Sequence, residues 1–238
     1  KYKLSLLNNL LIFENMSEIQ NKSNLGFNED FAFFKTHFNG KNFDGKSFFI
    51  NDYLRGIIYI YRDPRDVCVS WARHSDLSID ASIDFMLNET ASIKWADEEK
   101  FKDYKSNVPV YLSSWENHIR SWIDNKFSCP FLILNYEDLV YNKSDTIEKL
   151  IDFFEKNYKI KISDKKLKIK NILNSTSFNK LRNLEVKYGF NESINNKSNF
   201  FAVGKKEQWK TKLNQNQTSM LENQFGSIMK RLEYKFNK

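Results

Sequence analysis

Residues Gly56-Ile57-Ile58-Tyr59-Ile60-Tyr61 run into Asp63-Pro64 with Arg62 alone between them, and this junction constrains the fold more than any other stretch. After Gly56 each residue is β-branched or aromatic, the pattern of a parallel strand covered on both faces. Asp63 offers an N-cap and Pro64 suits the first helical position, so a helix is predicted from Pro64 to about His74. A strand that enters a helix with almost no loop is how open α/β sheets present ligand sites at their carboxyl ends.

The rest of the chain repeats the alternation. Phe31 to Lys35 and Phe131 to Leu134 are short apolar runs that suit buried strands. Leu112, Trp115, Ile119 and Trp122 recur at helical spacing, as do Ile147, Leu150, Ile151 and Phe154, and Leu221, Phe225, Ile228 and Leu232. Leu4 to Phe13 suggests a further helix, and Tyr188 to Lys206 reads as a long polar loop. Strands followed by helices in series favour a parallel sheet flanked by helices, an α/β fold. With three prolines, seven glycines and no internal repeat, the 238 residues are expected to form a single domain, 1–238.

Composition narrows the function class. Cys68 and Cys129 stand far apart with no CxxC spacing, which argues against a disulfide framework or a zinc site and for a reducing, cytoplasmic setting. No apolar run approaches the ~18 residues of a membrane span. The net charge of +7 comes from scattered lysines rather than a cluster, so a nucleic-acid-binding module is disfavoured. No signal peptide is read at Lys1, because Asn8-Asn9 interrupts the apolar run.

Chemistry concentrates around Arg62-Asp63-Pro64-Arg65-Asp66-Val67-Cys68-Val69-Ser70. Arg62 ends the strand and Ser70 lies two turns into the helix, so guanidinium and hydroxyl can both face the crevice and grip one phosphate, with Arg65 adding charge nearby. The alternative is an Arg62–Asp66 ion pair that only caps the helix.

This segment resembles the one by which sulfotransferases bind the 3′-phosphate of their donor, and further family landmarks follow in order. Phe34-Lys35-Thr36-His37 resembles the family's Lys-Thr-His, whose histidine is the catalytic base. Ser113-Ser114-Trp115 opens a helix, and Tyr136-Glu137-Asp138 follows a strand, as in the family. Thr176-Ser177-Phe178 resembles the stretch that holds the adenine, and Gly204 to Lys210 is similar to the C-terminal nucleotide-binding loop. The resemblance spans roughly Phe31 to Lys212 and implies a P-loop NTPase-like sulfotransferase fold.

It also implies an activity: transfer of a sulfuryl group from 3′-phosphoadenosine 5′-phosphosulfate to a hydroxyl or amine of a small-molecule or glycan acceptor, without a metal. His37 would be the general base and Lys35 the cation that offsets developing charge. Arg62, Ser70, Tyr136, Thr176, Ser177, Phe178, Gly204 and Lys205 would bind the nucleotide. For each residue a plainer role stands beside this one. His37 can be a hydrogen-bonded residue at a strand end, Tyr136 and Phe178 core aromatics, Thr176 an N-cap. Trp115 reads as core, and His74 and His118 as structural or exposed.

Two departures from the family pattern qualify the expectation. The family's Pro-Lys-Ser-Gly-Thr-Thr-Trp loop for the 5′-phosphosulfate has no counterpart in residues 1–34, which hold one glycine, Gly26, and neither proline nor tryptophan. Since the chain begins with Lys1, the expectation is a sulfotransferase domain missing its first strand and loop by truncation, the alternative being a non-catalytic nucleotide-binding relative. Ala202-Val203 also stands where relatives place Arg-Lys before the glycine, leaving Lys205 or Lys206 as substitutes.

Overall fold

A computed structural model describes residues 33–41, 54–93, 110–190 and 199–236. The chain divides into two compact units, one formed by Ile58–Ile83 with Pro130–Lys238, the other by Lys1–Ile57 with Asp84–Cys129.

In the first unit, β1 (Ile57–Tyr61) pairs with β4 (Phe131–Asn135) in a parallel sheet. Each strand passes directly into a helix. Asp63 caps α1 (Pro64–His74), its carboxylate accepting from the Arg65 amide at 2.9 Å, and Pro64 occupies the first turn as the sequence predicts. Asn135 caps α4 (Tyr136–Tyr141), accepting from the amides of Glu137 at 2.7 Å and Asp138 at 3.3 Å. Two capped strand-to-helix junctions thus lie at the carboxyl ends of neighbouring strands, where parallel sheets place ligands.

Behind α1, Cys68, Val69 and Ala72 are buried, and the helix packs against α8 (Trp209–Lys212) and α9 (Gln215–Arg231). α9 starts with a capping box in which Asn214 and Gln217 bond each other's backbone amides, and its apolar stripe of Leu221, Phe225, Ile228 and Met229 is buried. Each such side chain contributes about 1.5–3 kcal/mol by leaving water. α5 (Lys143–Tyr158), α6 (Lys165–Ser175) and α7 (Phe178–Tyr188) follow in series, each packed on the next. The expectation that β1 is covered on both faces is not met among the described residues, since Ile58 and Ile60 on its alternate face are 37% and 52% exposed.

In the second unit, β2 (Ser92–Ile93) pairs antiparallel with β3 (Val110–Tyr111), with Ser92 opposite Tyr111. α2 (Ile79–Leu87) carries the chain from the first unit into it. α3 (Trp115–Ile123) is capped by Ser114, whose hydroxyl accepts from the Asn117 amide, and buries Ile119 and Trp122; Trp115 is half-buried.

One predicted strand is corrected. The described part of Phe31–Lys35 is irregular backbone in which Phe33 and Phe34 are 81% and 64% exposed. An apolar run becomes a strand only where neighbours take up its amides and carbonyls, and the ladders of the described residues are β1–β4 and β2–β3. The Leu4–Phe13 helix falls outside the described residues.

Candidate functional site

At the end of β1, the Arg62 side chain gathers several residues that the sequence had only placed in order. One terminal nitrogen (Nη2) donates to the Lys205 carbonyl at 3.2 Å and lies 3.7 Å from the Asp66 carboxylate. The guanidinium carbon sits 4.4 Å from the ring centroid of Tyr136, the first residue of α4. Its Nε is buried and has no hydrogen-bond partner among the described residues. Ser70 lies half-buried on α1, one turn beyond Asp66.

Asp66 holds the loop that delivers Lys205. Its two carboxylate oxygens accept from the amides of Glu207 at 2.7 Å and Trp209 at 3.1 Å. Glu207 has a left-handed φ of 59°, a conformation that costs a non-glycine residue about 1–2 kcal/mol, and the bond to Asp66 helps to hold it there. Burial raises the Asp66 pKa, while the two amides and the Arg62 charge act in the opposite direction. The Arg62–Asp66 pair exists, but it does not cap the helix; that role belongs to Asp63.

Arg65 is drawn away from this crevice. It is 2% exposed, makes a bidentate pair with Asp63 at 2.9 and 2.6 Å, bonds Glu222, and stacks over Trp209 at 3.9 Å. The expectation that it adds charge beside Arg62 is therefore replaced by a structural role, because Asp63 and Glu222 engage its guanidinium.

On the other side of the loop, Gly204 abuts Phe178. A Cβ on Gly204 would lie 2.5 Å from Cδ2 and Cε2 of that ring, and φ is +60°, so both space and backbone call for glycine. Thr176 ends α6, and its hydroxyl bonds the Ile172 carbonyl at 2.6 Å; its own carbonyl accepts from the Lys143 ammonium. The N-cap of α7 is Ser177, with no side-chain cap bond, and not Thr176. Lys205 and Lys206 are exposed, and the Lys206 ammonium lies over the Tyr141 ring at 4.6 Å.

In the second unit Lys35 and His37 are exposed. The backbone just after them is fixed by α3 and β3. His118 Nε2 donates to the His37 carbonyl at 3.2 Å, Trp122 Nε1 to the Phe38 carbonyl at 3.2 Å, and the Asn39 amide to the Tyr111 carbonyl at 2.8 Å. Gly40 donates to the Ser121 hydroxyl at 2.8 Å, and a Cβ there would meet the Ser121 carbonyl at 2.7 Å. Burial depresses the His118 pKa to about 4, so its ring is neutral at physiological pH and serves as an anchor, in line with its structural reading.

The family model described as Sulfotransferase domain matches residues 9–233. This chain belongs to the sulfotransferase domain family. Sulfotransferase 1B1 of Canis lupus familiaris is 32% identical to it over 169 residues, which are 69% of this chain and 51% of that protein. The amine sulfotransferase of Oryctolagus cuniculus is 33% identical over 101 residues, 42% of this chain and 30% of its own length. This sulfotransferase chain thus spans about half the length of the curated relatives it matches, or less.

Among solved structures it is similar to mouse sulfotransferase SULT7A1 complexed with PAP, with a TM-score of 0.56 at 20% identity, covering 81% of this chain and 64% of that one. It is also similar to retinol dehydratase in complex with androsterone and inactive cofactor PAP, with a TM-score of 0.52 at 17% identity, covering 79% and 50%. At these identities the likeness establishes the α/β sulfotransferase fold. No helix among the described residues is long and apolar enough to cross a membrane.

Sequence reasoning missed Asp66 as the residue that positions the loop carrying Lys205. The available signal was an acid one helical turn after Arg62 with no basic residue at the following turn, where Ser70 stands. It gave Gly40 no role and did not foresee the specific bond from His118 to the His37 carbonyl, because the Gly40–Ser121 and His118–His37 contacts depend on long-range pairing that no local pattern encodes.

Proposed function

We propose that this sulfotransferase domain moves a sulfuryl group from 3′-phosphoadenosine 5′-phosphosulfate to a hydroxyl or amine of a small-molecule or glycan acceptor. The observation that carries the reading is the convergence of Phe178, Gly204, Lys205, Arg62 and Tyr136, five residues the family resemblance assigns to the nucleotide. Two features fit that ligand. Arg62 presents a buried Nε with no partner among the described residues, a donor suited to a phosphate oxygen. The glycine at 204 leaves the Phe178 ring free of a Cβ that would push it aside, which suits stacking on a base.

The donor supplies an activated sulfuryl group whose leaving group is a nucleotide phosphate. Arg62 and Ser70 bind the 3′-phosphate, Phe178 stacks on the adenine, and Tyr136, Thr176, Ser177, Gly204 and Lys205 line the nucleoside. His37 accepts the proton of the acceptor hydroxyl or amine as the new oxygen–sulfur or nitrogen–sulfur bond forms. Lys35 offsets the negative charge that grows on the departing phosphate oxygen. The relatives named as amine and 3-alpha-hydroxysteroid sulfotransferases support a small-molecule acceptor.

The test is transfer of ³⁵S-sulfate from labelled donor to a panel of phenol, steroid and amine acceptors. His37→Ala should lower turnover about 10²-fold or more while nucleotide affinity is kept. An equally active variant removes His37 from the chemistry.

A further inference from the structure

α1 carries Asp66, Ser70 and Arg73 at positions i, i+4 and i+7, which places them on one stripe of the helix. Arg62 stands at the N-terminal end of that stripe, paired with Asp66 at 3.7 Å. Arg73 is half-buried, and among the described residues no hydrogen bond or ion pair engages it. The charged or polar neighbours that act on it are Arg62, which opposes its charge, and Tyr136, the residue whose ring also lies under Arg62. Burial and the Arg62 charge together lower its pKa.

Two guanidiniums held in each other's field, only one of them paired with a carboxylate, and that carboxylate also serving two loop amides, leave an excess of positive charge in a partly desolvated crevice. Protein interiors meet such a cost with an anion. A phosphate monoester carries close to two negative charges and three acceptor oxygens, more than a single guanidinium can satisfy.

We infer that Arg73 is a second anion ligand of this site, sharing with Arg62 and Ser70 a dianionic phosphate monoester. The inference rests on the reading of the Arg62 site as the seat of the nucleotide 3′-phosphate, and extends it to a residue to which the motif comparison gave no role. It also supplies a cation that Lys206 does not, since the Lys206 ammonium is stacked on Tyr141.

Calorimetric titration of the purified protein and its Arg73→Gln and Arg73→Lys variants, with 3′-phosphoadenosine 5′-phosphate and with adenosine 5′-phosphate at one ionic strength, tests it. Wild type should prefer the 3′-phosphorylated nucleotide. Arg73→Gln should lose about tenfold or more for that ligand and less than about twofold for adenosine 5′-phosphate, and Arg73→Lys should fall between. Thermal unfolding of each variant checks folding, and Arg73→Lys carries the test if Arg73→Gln does not fold. If wild type discriminates between the nucleotides and both variants bind as wild type does, Arg73 has no part in the grip while the reading of the site stands. If wild type binds both nucleotides equally, the 3′-phosphate reading falls and the Arg73 inference falls with it.

Discussion

The Phe178 ring occupies the space that a side chain at position 204 would need: a Cβ built on Gly204 comes within 2.5 Å of two of its carbons. Gly204→Ala must therefore displace the ring and also pay for a φ of +60°. We expect about 1–2 kcal/mol of destabilisation from the backbone and at least a several-fold loss of nucleotide affinity. Titration with 3′-phosphoadenosine 5′-phosphate beside a thermal melt measures both. Unchanged affinity would mean that the Phe178–Gly204 contact does not shape the nucleotide site.

Asp66→Asn keeps the shape of the residue but removes its charge and one of its two acceptors, so either the Glu207 or the Trp209 amide loses its partner. A buried donor left unsatisfied costs about 1–3 kcal/mol. The variant should melt at a lower temperature and bind the nucleotide more weakly, because the loop carrying Lys205 is released and Arg62 loses its counter-ion. A variant matching wild type in both measurements would show that Asp66 does not set the loop.

Glu137 accepts from the Asp63 amide at 3.2 Å and from the Tyr234 hydroxyl at 3.2 Å, and burial raises its pKa. An acid whose folded pKa is raised binds more protons folded than unfolded, so its ionisation lowers stability as pH rises through the folded value. Glu137→Gln escapes that penalty. The melting temperature of the variant relative to wild type should be most favourable at neutral pH and should decline as pH falls through the carboxylate range. A difference that stays constant from pH 7 to pH 4 contradicts the assigned shift.

His118 has the opposite sign. Its folded pKa, about 4, lies below the ordinary 6.5, so the folded state binds fewer protons and stability is lost as pH falls from about 6.5 towards 4. His118→Gln retains an N–H for the His37 carbonyl and cannot titrate. Its melting temperature should therefore fall less than that of wild type across this window, and parallel curves would show that His118 does not carry the effect.

The sequence made the first unit legible where local chemistry is decisive. β1, the Asp63 cap, Pro64 at the start of α1 and its end at His74 all follow from residues within a few positions of one another. The convergence of Arg62, Lys205, Gly204 and Phe178 was reachable through family resemblance alone, because these residues are far apart in the chain. The apolar run Phe31–Lys35 suggested a strand, but apolar character does not guarantee a ladder, and Phe33 and Phe34 lie exposed instead. The diversion of Arg65 to Asp63, Glu222 and Trp209 was hidden for a related reason: a charged residue beside a site reads as part of it until its buried partners are known.

The most direct measurement of the central claim is the effect of Arg62→Ala on two nucleotides that differ by one phosphate. If Arg62 grips the 3′-phosphate, the variant should lose about 2 kcal/mol or more of binding free energy for 3′-phosphoadenosine 5′-phosphate, the range of a charge-assisted hydrogen-bond pair. Adenosine 5′-phosphate should bind wild type and variant almost alike. Equal losses for the two nucleotides would instead assign Arg62 to holding Tyr136, Asp66 and the Lys205 loop, and would contradict the account of the site.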